Sequence, residues 1–136
     1  MKPKLIIAGF LLLSFLGFGA GYILTNSIDF GFCVANAVAT DASCINFYER
    51  LGDPFFYGMG ALAVVFFALL FVQRAFSMWW KFGIWFIPLA ALLFIFYPEG
   101  GAMDLAWPFP EIVFQWVSGL YVVVSAGIIV AATVKK

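Results

Sequence analysis

A chain of 136 residues in which 65% are hydrophobic and 10% charged departs from a soluble domain, where apolar content is near half and charge near a quarter. So small a domain buries only about 60–70% of its unfolded surface, and the apolar excess requires lipid as its solvent. The net charge is zero with no basic patch, which speaks against nucleic acid, and the lack of histidine removes histidine-ligated haem, histidine zinc sites and histidine acid–base chemistry.

Residues 5–24 carry no charge and are long enough to cross a hydrocarbon core of about 30 Å as a helix. Lys2 and Lys4 precede them, and Gly19-Ala20-Gly21 lies near their end, a layout shared with secretory signals. The apolar run is longer than a usual signal core, so it reads as a retained span.

Residues 25–54 form the one long polar interval between apolar runs. They hold Cys33 and Cys44, the only cysteines, and four acidic residues, Asp29, Asp41, Glu49 and Asp53. Asp41 can cap a short helix over residues 42–51 that Gly52 would end. Residues 30–39 are mildly apolar but too short to span, and would lie at the interface or fold over the bundle. Asp53-Pro54 then opens a second span, 55–73, with aspartate as cap and proline in the first turn.

An inner connector, 74–77, leads to a third span, 78–97. Trp79 and Trp80 read as interface anchors, Lys81 can snorkel to headgroups, and Pro88 predicts a kink. Residues 98–111 form a second outer loop broken by glycine and proline, with Trp107 and Phe109 at the interface. The fourth span, 112–134, ends at Lys135-Lys136.

The expected fold is therefore an all-α membrane protein: a single domain, a four-transmembrane-helix bundle with a disulfide-tied outer loop that contains a short helix. Four spans put both termini on one side. Lys2, Lys4, Arg74, Lys81, Lys135 and Lys136, six of the seven basic residues, then share that side, with Arg50 alone opposite. The positive-inside rule makes it the cytoplasmic side, in an inner (plasma) membrane of bacterial type. The acidic residues gather on the other face, as a solvated surface or as a rim that attracts cations or a basic partner.

In an oxidising compartment Cys33 and Cys44 suit a structural disulfide. Membrane thiol oxidoreductases use a Cys-x-x-Cys pair, a spacing this chain does not have. Gly17 and Gly21, with GxxxG spacing, join Gly58, Gly60 and Gly119 as positions of close helix approach, within the bundle or at a seam with another protein. The 18 phenylalanines read as lipid-facing bulk or as a lipid- or quinone-binding surface. Gln115, the most polar residue of the spans, and Ser14, Ser118 and Ser125 suit interhelical hydrogen bonds. No span holds an internal charge of the kind ion-coupled transporters use. No metal-ligand pattern, nucleophile motif or phosphate-cradling loop is present, so neither catalytic residues nor a cofactor is expected.

With four spans, inner termini and a two-cysteine first outer loop, the layout resembles tetraspan families such as the claudins. Asp29-Phe30-Gly31-Phe32-Cys33 stands where that family has a Gly-Leu-Trp signature, so the resemblance implies the layout alone. The expected function is that of a non-catalytic accessory or assembly subunit, in contact with the lipid bilayer and with a membrane-protein partner or copies of itself. The alternatives are a small oligomeric channel or transporter for an uncharged or lipid-like solute, lined by Gln115, Ser118 and Ser125, an immunity-type or regulatory protein, and a membrane thiol redox protein.

Overall fold

The computed structural model describes residues 3–33, 35–36, 39–40, 42–97 and 109–134. Four helices are long and apolar enough to cross a membrane. The first, α1 (Pro3–Thr25), is apolar around most of its circumference, as a lipid-facing helix must be. Its last turn is tied down by Thr25, whose hydroxyl donates to the Gly21 and Tyr22 carbonyls. The chain then coils back on itself: Phe32 N–H and Cys33 N–H both donate to the Ser27 carbonyl. Gly31, at φ 77°, supplies the left-handed residue that this reversal needs. A minimal antiparallel pair comes next, β1 (Ala35–Asn36) with β2 (Ala39–Thr40). This pairing satisfies backbone groups within the segment expected to lie at the interface or fold over the bundle.

The polar helix α2 (Ala42–Pro54) neither ends at Gly52 nor gives way to a new helix at Pro54. It runs on through a π-helical turn, Phe55–Met59, into α3 (Gly60–Phe71). The helix passes Pro54 for a local reason. Proline leaves the Arg50 carbonyl without its α-helical donor, and a wider turn absorbs that loss without breaking the rod. Gly60 N–H, shared between the Phe56 and Tyr57 carbonyls, restores the α pitch. Gly52 is buried here for proximity: a Cβ at that position would lie 2.8 Å from Thr25 N.

The connector to the third span is a 3-10 turn, Gln73–Ala75, one step earlier than the expected 74–77. Helix α4 (Phe76–Phe96) continues through Pro88, and α5 (Pro110–Val134) completes the bundle with Glu111 in its first turn. The second loop through residue 108, Asp41 as a cap, and Lys2, Lys135 and Lys136 lie outside the described residues.

The packed core lies toward the end of the bundle away from the disulfide, built from Ile7, Val65, Phe66, Leu69, Ala75, Trp79, Tyr121 and Ile129. Trp79 is its centre and not an interface anchor. It is fully buried, its ring meets Phe66 edge-on at 5.1 Å, and its Nε1–H donates to Ser125 Oγ at 3.1 Å. Gly83, one turn on, leaves room for that ring. The neighbouring Trp80 is part-exposed. Aromatic side chains at this end, Phe66 against Trp79 among them, join α3, α4 and α5, while the α3 and α4 backbones stay apart.

Candidate functional site

The disulfide end is built from α1, α2 and the π turn. The Cys33–Cys44 disulfide joins the turn after α1 to the first turn of α2, with Cα atoms 6.0 Å apart. Phe32 stacks on Tyr48 at 5.5 Å beside it. Glycines allow the helices beneath to touch. Gly21 faces the backbone of Phe55 and Phe56, Gly17 faces the Met59 side chain, and Gly60 faces the Phe18 ring. Gly58 looks toward Phe94 at an ordinary contact distance, whereas Gly119 has no neighbour near its missing Cβ and faces outward.

Two recesses flank α2. The smaller, of about 250 Å³, is polar and lined by Thr25, Glu49, Asp53, Phe56, Tyr57 and Glu111. Tyr57 Oη donates to Glu111 Oε1 at 2.9 Å, and Gln115 Nε2 donates to Tyr57 Oη at 3.0 Å, so the π turn is tied to α5. Gln115 is exposed near the start of α5. Half-burial of Asp53, and next the nearby Glu111 and Glu49 carboxylates, push its carboxyl up from 3.8 to about 6. Among the described residues no cluster of acidic or cysteine side chains could hold a metal ion.

The larger recess is an apolar cleft of about 600 Å³ on the opposite side of α2. Phe47, Arg50, Leu51 and Pro54 form its rim; Phe55, Gly58, Met59 and Leu62 one wall; Phe86, Ala90, Ala91, Phe94 and Ile95 the other. Val117, Ser118 and Tyr121 of α5 form its back. It exists because α3 and α4 part company above the tryptophan core, and because Gly58, Ala90 and Ala91 put little volume between them. Its size falls within the range of about 300–1,000 Å³ usual for small-ligand sites. Leu51, Phe55 and Ile95 on its edges are themselves exposed.

The three polar span residues singled out from sequence are not brought together. Gln115 is hydrogen-bonded to Tyr57 of the polar recess, and Ser125 is fully buried as the acceptor for Trp79. Ser118 Oγ lies buried in the wall of the cleft with no hydrogen-bond partner. Tyr121 Oη is beside Ser125 and Trp79 but makes no hydrogen bond of good geometry. Ser14 donates to the Phe10 carbonyl of its own helix. Sequence reasoning missed Arg50 and Ala90 as site residues, while Phe94 is among the phenylalanines it read as lipid-facing bulk or as a lipid- or quinone-binding surface. The lone basic residue in a polar loop was a legible signal for Arg50; none identified Ala90, because a wall of a cleft is defined by its missing neighbour. Comparison with protein-family models, curated proteins and solved structures finds no match.

Proposed function

We propose that this is a non-catalytic membrane protein that takes up a lipid-like molecule in the cleft between α3, α4 and α5. The observation that carries this reading is the cleft itself: some 600 Å³, walled almost wholly by apolar side chains and open between two spans. In lipid, where helix–helix attraction depends on close packing, a gap of this size is stable when a hydrocarbon chain fills it. Native mass spectrometry of protein released from mild detergent tests the reading. Retained lipid that is lost in Ala90→Phe, whose ring fills the cleft, is the expected result. Equal lipid retention by the two proteins overturns it.

A second reading, an accessory subunit docking on another membrane protein, has its own support. Trp85, midway along α4, is 81% exposed, although tryptophan prefers the membrane interface to the bilayer centre. Gly119 and Gly127 leave an open small-residue face on α5. In-membrane crosslinking from position 85 that yields only lipid adducts removes that support. For either role we place the protein in an inner (plasma) membrane with cytoplasmic termini, on the strength of the basic-residue distribution.

A further inference from the structure

Resting on the reading that the cleft holds a lipid-like molecule, we infer that its grip on that molecule is set by a proton on Asp53, in the polar recess on the other side of α2. With Asp53 protonated the π turn closes on α5. With Asp53 ionised the two part, and the occupant leaves more readily. Three observations carry this, and the first is the make-up of the recess. Glu49 and Asp53 of α2, Tyr57 of the π turn and Glu111 of α5 line it, with the neutral Thr25 of α1 and Phe56. No lysine or arginine is among the described residues of that lining. Three carboxyl groups from two helices thus share a space of about 250 Å³, and like charges so confined favour protonation of one of them. The half-buried Asp53 is that one: burial first, then Glu111 and Glu49, bring its carboxyl up to about 6.

The second observation is the tie on which this charge acts. Tyr57 Oη donates to Glu111 Oε1 at 2.9 Å and accepts from Gln115 Nε2 at 3.0 Å, which links the π turn to α5. An ionised Asp53 repels the same Glu111 carboxylate that anchors Tyr57, so its charge works against the tie. The third is position. The π turn supplies Tyr57 to the recess and Phe55, Gly58 and Met59 to the cleft. Helix α5 likewise supplies Glu111 to the one and Val117, Ser118 and Tyr121 to the other. A change of spacing between these two elements at the recess is therefore a change in the walls of the cleft. Asp53 loses its proton as pH rises through about 6, so the cleft holds firmly in mild acid and loosely above neutrality. By reciprocity a bound occupant also favours the protonated carboxyl.

The test titrates the purified full chain in non-ionic detergent with monopalmitoylglycerol, a neutral amphiphile with no titrating group of its own. Native mass spectrometry reads binding at about pH 5 and about pH 8, on either side of the Asp53 transition. Binding roughly three- to fivefold tighter at the lower pH is expected, a modest factor because Asp53 is half in water. Asp53→Asn should bind under both conditions as tightly as the unaltered protein does in acid, whereas Asp53→Glu should keep the pH dependence. Tyr57→Phe, which cuts the tie, should bind weakly under both. Equal binding by the unaltered protein at the two pH values overturns this inference and leaves the lipid reading standing, and so does a pH dependence that survives Asp53→Asn or Tyr57→Phe. Binding unaffected by Ala90→Phe at either pH overturns both.

Discussion

Asp53 shows how one side chain reports its surroundings. It stands at the end of the polar helix α2, half-buried and facing Glu111 and Glu49. All three effects favour the protonated carboxyl, so the folded state binds the proton more tightly than the unfolded chain. The contribution of Asp53 to stability therefore falls as pH rises from about 3.8 to about 6 and stays low above that. The shift is discounted because the group is half in water; Asp53→Asn is expected to stabilise the protein by about 1 kcal/mol at pH 8. The gain should vanish near pH 4. Thermal melts in detergent across that range check it, and a gain independent of pH would refute the assignment. The neighbouring Tyr57 keeps its hydroxyl on Glu111 Oε1, so the same cluster that raises Asp53 also anchors the π turn.

At the scale of elements, α1 crosses the π turn backbone against backbone at Gly21. At Gly21 a Cβ would lie 2.8 Å from the Phe55 carbonyl carbon, backbone that no rotamer change can move aside. Gly21→Ala should therefore force the helices apart and cost about 2 kcal/mol, in the range of overpacking. Gly119→Ala, with nothing near its Cβ, should be neutral or stabilising by up to about 1 kcal/mol through helix propensity. Steric-trap or denaturant unfolding in micelles separates the two. Equal effects would mean that the α1 crossing is looser than described. The π turn itself arises from Pro54. With one more residue in the turn than an α-helix uses, it rotates α3 relative to α2 by about 100°, which lets α2 cap the bundle while α3 keeps its place inside it.

On the α3–α4–α5 side the molecule is packed at the core end and parted by the cleft toward the disulfide, whereas α1 stays close to α2 and the π turn. Trp79, Phe66 and Tyr121 hold α3, α4 and α5 at the core end, and α2 with its disulfide covers the opposite end. The disulfide joins cysteines at a sequence separation of 11, for which chain entropy gives about 2–3 kcal/mol. The double variant Cys33→Ser, Cys44→Ser should lose stability by that amount, with its helical content unchanged by circular dichroism, because the four spans do not depend on the cap. A large loss of helicity would show that the cap organises the bundle. Loosening of the cap should also weaken lipid retention, since Phe47, Arg50 and Leu51 form the rim of the cleft.

The amino-acid sequence by itself determined everything that depends on hydropathy and length. Four apolar runs, the polar interval between the first two, and the disulfide partners all derive from which residues tolerate lipid and from there being only two cysteines. Gly17 and Gly21 were legible as close-approach positions for the same kind of reason, because small residues at helical spacing share a face. Tertiary structure alone decided the direction each feature takes. Gly52 and Pro54 carry stop and start signals by local rules. Packing of α1 against Gly52, and a π turn that absorbs the proline, make one rod of what those rules divide. Trp79 has the composition of an interface anchor, and only the partner hydroxyl of Ser125 and the space above Gly83 draw it into the core. The cleft lies furthest from the sequence. It is the volume left where α3 and α4 diverge, and a gap between helices is written in no single run of residues.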